Sequence, residues 1–357
     1  MTQAAINPGA LNLIANCARV VPGEHVLVAV ESPDLGYYGA DLAPCIIDAL
    51  TQLGARVERI EVAFAPEARQ VPEALLFRMQ EADVLISLAR IGDQLRFDDA
   101  PGRARMVQCY ALDAEMLNSD FGTVPYEAFT ALKDAVDAAL FSAARITITC
   151  ARGTHLSGWA PSGAIPKDTT CARFPLSVFS PIPAGQFSGR VALPDFLVGT
   201  GSRYYDTFYT RLDEGTFAEM YDGRLTEFTG NARGVAQANA HYDEVSARYG
   251  LDRNVVHSWH AGIHPGCAYT DTVENTPERW SGSAFGNPRI LHFHTCGAQP
   301  PGEICWNVID PTIEVDGIRL WEDGVFYPER LPQAMHVLNA FAEVRQLFAA
   351  PEMAIGL

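Results

Sequence analysis

Over its first 150 residues the chain alternates short apolar runs with stretches of helical periodicity, and this alternation most limits what it can fold into. HVLVAVES (25–32), ARVERIEV (55–62), ADVLISL (82–88) and ARITITC (144–150) have the length and composition of strands. Between them, 36–53, 72–81 and 125–143 carry apolar residues at helical spacing, the first stopping at Gly54, a usual helix terminator. A further helix over 8–20 ends at the Pro22-Gly23 turn. Short apolar strands joined by helices belong in a parallel sheet covered on both faces. Residues 1–150 are therefore expected to form a Rossmann-like or flavodoxin-like α/β lobe. No G-x-G-x-x-G follows the first strand and no Walker A motif occurs, so the alternation predicts a layered sheet and not a nucleotide site.

From 151 the texture changes. Residues 151–202 are rich in Gly, Pro and Ser, with PSGAIPKD and SPIPAGQFSG as loop material. Strands are expected at 223–230, 289–296, 306–317 and 318–324, the last two meeting in a hairpin at Asp316-Gly317. Helices are expected over 231–248 and 331–349. Residues 151–357 thus read as a mixed α+β lobe, and a second lobe suits a chain of 357 residues, longer than a single core usually supports. With 26 Lys plus Arg against 43 Asp plus Glu, the net charge is −17, which repels phosphate backbones and anionic lipid. Neither nucleic acid nor a membrane is expected as a partner. The first residues do not read as a signal peptide, and no apolar run reaches the ~18 residues of a membrane span. The eight cysteines include no C-x-x-C pair and read as buried thiols of a reducing compartment, which points to the cytoplasm.

The chemistry concentrates in the second half. Of nine histidines, five fall within the 38 residues from His257 to His294. Imidazole is the commonest metal ligand, and such clustering serves best when several rings converge on one ion. In HAGIHPG, His260 and His264 are four apart, but Gly262, Pro265 and Gly266 disfavour a helix, so the segment reads as a strand end entering a turn where one of the two ligates. Pro265 holds His264 extended. In LHFHTCG, His292 and His294 share one strand face, because strand side chains alternate with period two. Both can reach one ion, or one can ligate while the other serves the substrate. Glu303, after a Pro-Pro-Gly turn, can add a carboxylate, giving the two-imidazole, one-carboxylate set of non-haem Fe(II) enzymes. Cys305 shares its strand face, and thiolate ligation there would shift the preference to zinc. Earlier in the chain, His155 with Arg152 follows an expected strand, as an acid/base beside an anion clamp or as a simple turn. Gln186 sits in a loop where a carboxamide can hold substrate.

In its order of elements the chain resembles the thermophilic aminopeptidase (aminopeptidase T) superfamily, which also contains the 2,5-dihydroxypyridine 5,6-dioxygenases. The resemblance is carried by the V-x-P-G-E-x-V segment (Val20 to Val26), the strand ADVLISL, the strand-then-Gly-Thr element from Ile146 to Thr154, the P-x-G loop at Pro183 to Gly185, and the strand ending in Val315-Asp316-Gly317. It implies an N-terminal α/β lobe, a C-terminal metal-binding lobe, and a homodimer or larger homo-oligomer. The peptidases continue their P-x-G loop with a glutamate ligand to a two-metal centre. Gln186 stands there and supplies no anionic bridge, so one metal per chain is expected. The dioxygenases carry an iron-ligating histidine in a G-x-H-P turn, matched by Gly262 to Pro265, which points to His264. The His-x-Asp pair that these families usually place before the Asp-Gly hairpin is replaced by Glu303-Ile304-Cys305, so either the second imidazole comes from elsewhere, most simply His292 or His294, or Glu303 and Cys305 form an altered site.

These readings combine into a mononuclear Fe(II) dioxygenase that opens a hydroxylated, nitrogen-containing aromatic ring with O2. His264, His292, His294 and Glu303 are its expected metal set, and His155, His260 and Gln186 its catalytic groups. The alternatives are a metal-dependent hydrolase of amide or peptide bonds, with zinc or another divalent ion, and a non-catalytic metal-binding module.

Overall fold

The computed structural model describes residues 6–64, 71–92, 102–167, 169–200, 206–298 and 301–357. They gather into two compact units, one of Met1–Thr130 with Asp168–Leu176 and one of Ala131–Lys167 with Ser177–Leu357.

The first unit is built on a five-stranded sheet in the order Arg56–Glu61, His25–Val30, Val84–Leu88, Arg105–Cys109, Ala172–Phe174. Every pairing in it is parallel. His25–Val30 and Val84–Leu88 are buried almost throughout, as apolar runs covered on both faces must be. The edge strand, RVERIE, keeps its charged residues partly or fully exposed. Helix Leu42–Leu53 buries Leu42, Ile46, Ala49 and Leu50, a single stripe, and stops where Gly54 turns left-handed at φ 87°. The expected opening helix is regular only over Pro8–Leu11 and continues as a wider π-turn over Asn12–Cys17.

The second unit holds two antiparallel sheets. The eight-stranded one runs in the order Arg224–Gly230, Thr216–Tyr221, Ser188–Ala192, His155–Gly158, Ile146–Thr149, Thr312–Val315, Ile318–Glu322, Val325–Phe326. Ile146–Thr149 therefore does not continue the parallel sheet, and its sequence shows why. Ile146 and Ile148 are buried while Thr147 and Thr149 are half-exposed, the alternation of an antiparallel strand with one covered face. Asp316 and Gly317 close the expected hairpin with φ of 50° and 88°, the left-handed pair that two-residue turns require.

The six-stranded sheet runs Tyr209–Arg211, Phe196–Val198, Glu303–Ile309, Ile290–Cys296, Val256–Ala261, Ile182–Pro183. The single strand expected at 306–317 is two. Asp310 enters the left-handed region at φ 51° and Pro311 has no N–H to donate, so Glu303–Ile309 and Thr312–Val315 part into different sheets. Helix Ala232–Tyr249 is capped by the Asn231 side chain on the Arg233 and Gly234 amides and ends at Gly250. The expected last helix is broken at Phe341 into Met335–Ala340 and Ala342–Ala349. Among the described residues, no helix is long and apolar enough to cross a membrane.

Candidate metal centre

Three adjacent strands of the six-stranded sheet, Val256–Ala261, Ile290–Cys296 and Glu303–Ile309, sort their side chains by face. Trp259, Phe293 and Trp306 stand opposite one another across the strands, and in the next row so do His260, His292 and Asn307. Side chains of successive rows point to opposite faces. One face is thus an aromatic layer, fully buried, and the other carries His260, His292, His294, Glu303, Cys305 and Asn307. His260 reaches that face through a β-bulge. Pairing slips by one residue between Val256 and Ser258, so Ser258 and His260 fall opposite His294 and His292.

The imidazoles of His260, His292 and His294 each offer a nitrogen within 4.8 Å of the others, and all three are buried. Their second nitrogens determine what the first can do. His260 Nδ1 lies 3.0 Å from the Phe179 carbonyl oxygen, which only accepts, so Nδ1 carries the proton. His294 Nδ1 donates to the carboxylate of Glu303, which is itself 2% exposed. Both Nε2 atoms are then left with lone pairs, and they face each other at 3.0 Å. Facing lone pairs repel unless a cation lies between them. Two nitrogens each ~2.1 Å from one ion stand about 3 Å apart when they subtend a right angle. The three rings thus fit a divalent metal ion, with Nδ1–H bonds to a carbonyl and a carboxylate that orient two of them from behind.

The support behind His260 extends further. The peptide whose carbonyl is Phe179 O has Ser180 N as its amide, and that N–H donates to Asp137 Oδ1 at 2.9 Å. Ser180 Oγ donates to Asp137 Oδ2 at 2.8 Å, and Lys133 Nζ donates to the same oxygen at 2.9 Å. An anion on its N–H side polarises the peptide and strengthens its carbonyl as an acceptor. Around the rings, Phe285 stacks on His292 with centroids 4.0 Å apart, and Phe179 meets His260 edge-on.

The other expected site residues also fall in this unit, at the trio or away from it. His264 is buried in the turn after the His260 strand, where its Nδ1 accepts the Gly266 N–H at 3.2 Å. It is not in the group of three. Glu303 stands behind His294, and His260 joins the trio itself. His155 is exposed on the eight-stranded sheet, next to the loop where Arg152 lies 3.6 Å from Asp195. Gln186 is exposed at the end of a short 3-10 turn that follows Ile182–Pro183, the edge strand beside the His260 strand. Cys305 Sγ lies 3.0 Å from Thr200 Oγ1, opposite His294 in the pairing. His257, the bulge residue, has Nε2 3.0 Å from the Cys296 carbonyl oxygen. Asn307 and the Lys133–Asp137–Ser180 chain are additions that the sequence reading did not include. Asn307 had one available signal, a carboxamide inside the otherwise apolar run ICWNVI.

Parallel and antiparallel units of this kind, with a buried histidine trio on one sheet face, define a two-unit α/β fold suited to metal chemistry. The fold is shared with solved structures of enzymes. One is 2,5-dihydroxypyridine dioxygenase from Pseudomonas putida KT2440, at TM-score 0.59 and 13% identity over 90% of this chain and 96% of that one. Another is wild-type AmpT from Thermus thermophilus, at TM-score 0.51 and 11% identity over 89% of this chain and 98% of that one. At such identities the likeness is one of fold. No family model matches the sequence, and no curated protein matches it.

Proposed function

We propose that the chain is a mononuclear Fe(II)-dependent dioxygenase that opens a hydroxylated, nitrogen-containing aromatic ring. One observation carries this reading: two imidazole nitrogens whose lone pairs are turned toward each other at 3.0 Å, with a third imidazole beside them. Held by His260, His292 and His294, an iron ion would keep further positions open to substrate and O2. His260, His292 and His294 are the ligands in this reading, and Glu303 is a positioning residue. When bound, ferrous iron supplies the electrons that make O2 reactive toward the ring. The protein's own part is to hold the Nδ1 protons of His260 and His294 on Phe179 O and Glu303, so that Nε2 stays available. Burial of the trio keeps bulk water from the site. The dioxygenase among the fold's solved members supports the choice of ring and reaction.

A metal-dependent hydrolase is the second reading. Three histidines also form a catalytic zinc set, and AmpT shares the fold. We further propose a cytoplasmic location, with which the buried thiols at Cys17, Cys109, Cys171, Cys267, Cys296 and Cys305 accord, and a homodimer or larger homo-oligomer, as the family resemblance implies. The deciding experiment loads the protein anaerobically with Fe(II) or Zn(II) and offers 2,5-dihydroxypyridine or leucine p-nitroanilide. Oxygen uptake with loss of the ring's absorbance, in the iron form alone, is expected. Release of p-nitroaniline without oxygen uptake would reject the dioxygenase in favour of the hydrolase.

A further inference from the structure

The parallel sheet of the first unit reverses its winding beside its first strand. After His25–Val30 the chain adds Arg56–Glu61 on one side, then crosses back to place Val84–Leu88 on the other. At such a switch point the loops that follow the two central strands leave in opposite directions, and a crevice opens at their carboxyl ends. Val30, Glu31 and Leu88 stand at those ends here, and they line a cavity of about 140 Å³. Leu42 and Ile47, from the helix that follows the first strand, complete its apolar floor. Pro33, Pro44 and Arg59 also line it and are exposed, so the cavity opens to solvent.

The polar groups of the lining decide what can enter. Glu31 is buried, and its carboxylate is taken up by Arg90. Oε1 accepts from Arg90 Nε at 2.8 Å and from Nη2, while Oε2 accepts from the Arg90 amide at 3.2 Å and from Nε at 3.0 Å. The pair is neutral and the lone pairs of the carboxylate are spent. Tyr38 is also engaged, donating to the Cys109 carbonyl oxygen at 3.2 Å and accepting from Gln108 Nε2 at 3.0 Å. Arg59 differs. Its side chain is 49% exposed and meets Glu61, more exposed still, at 3.5 Å, a surface contact worth little. Guanidinium only donates, so what it receives from solution must accept, and an anion does so best. Below Arg59 the walls are apolar. A cavity of about 150 Å³ admits benzene, which makes this one the size of a single six-membered ring or a branched chain of like bulk. Filling the hollow would take little, since Ala43 also lines it and a leucine there would occupy the space.

We propose that this cavity is a second binding site, for a small monocarboxylate with a compact apolar body. The carboxylate meets the Arg59 guanidinium at the rim, and the body lies among Val30, Leu42, Ile47 and Leu88. Binding there needs no metal, because the histidine trio belongs to the other unit.

The test titrates the full chain calorimetrically, with and without zinc, using benzoate and its neutral counterpart benzyl alcohol. The wild type should bind benzoate with a Kd of about 1 mM or below, as ligands this small do in fitting pockets. It should prefer benzoate to benzyl alcohol at least about tenfold, the worth of one charge-assisted hydrogen bond. Arg59→Gln, on an exposed strand edge that should fold normally, should erase that preference. Ala43→Leu should abolish binding of both probes. A wild type that does not bind benzoate, or binds the two probes alike, overturns the inference. So does Arg59→Gln that keeps the preference, or Ala43→Leu that binds benzoate undiminished. Benzoate binding that appears only with zinc would place the ligand at the trio and overturn it as well.

Discussion

Replacing Glu303 with glutamine tests how the site is held together. Glu303 is 2% exposed, and its carboxylate accepts the Nδ1 proton of His294. Glutamine keeps the size of the side chain and an acceptor oxygen but loses the charge. A charge-assisted hydrogen bond in a buried site is worth about 1.5–3 kcal/mol, against about 1 for a neutral one. The difference falls on His294, because the carboxylate holds the proton on Nδ1 and leaves Nε2 its lone pair. Loss of a carboxylate behind a metal-bound histidine typically weakens metal binding by about 10–100-fold. A chelator-competition titration with zinc should show a loss in that range for Glu303→Gln. The metal-free variant should be at least as stable as the wild type, since a buried charge has been removed. These opposite signs are the discriminating feature. Metal affinity within twofold of the wild type would refute the positioning role of Glu303. Complete loss of binding would instead make Glu303 a ligand.

Three other outcomes are expected. Elemental analysis of loaded protein should give one transition metal per chain, since one trio of converging ligands is found among the described residues; two equivalents in active protein would refute it. His260→Ala should abolish metal uptake, whereas His264→Ala should keep it and lose about 1–3 kcal/mol in urea unfolding, because the Gly266 N–H loses its acceptor; the reverse pattern would return ligation to His264. Burial pushes His241 down to about 4 from its usual 6.5, so it folds neutral while the unfolded chain takes up a proton at higher pH. Its contribution is complete above pH 6.5 and falls as pH drops toward 4, by about 3 kcal/mol, so His241→Gln should show a smaller acid-side loss in pH-dependent unfolding. Equal losses in the two proteins would remove His241 from the acid response.

Much of this architecture is legible from local pattern. Apolar runs alternating with helical stretches specify the parallel unit, and Gly54 marks a helix end by backbone conformation alone. Period-two alternation puts His292 and His294 on one face, where they are found. What sequence leaves open is long-range pairing. Nothing near His260 reveals that its partners are His292 across one strand boundary and Phe179 O from a separate segment. Its neighbour His264 has the more conspicuous surroundings, and the turn built by Pro265 and Gly266 engages its Nδ1. Glu303 is at a suitable spacing for a ligand, and the three-dimensional arrangement puts one of its carboxylate oxygens on His294 Nδ1. Likewise, Asp137 acts on His260 through a peptide bond that no spacing rule would single out.

The bulge at His257 makes this site depend on pairing register as well as on residue identity. Were His257 paired with His294 in regular alternation, Ser258 and His260 would turn toward the layer of Phe293 and Trp306, and Trp259 would turn toward the imidazoles. Every histidine would still be present in the sequence, yet the trio could not assemble. The aromatic layer would lose its own member in the same move, because Trp259 is fully buried there against Phe187 and Phe293. Deleting His257 would instead leave Val256 opposite Thr295 and Ser258 opposite His294 in unbroken alternation, so the trio and the aromatic layer would both keep their faces. Related chains can therefore keep the three histidines on one face with or without the extra residue, provided the pairing from Ser258 onward holds.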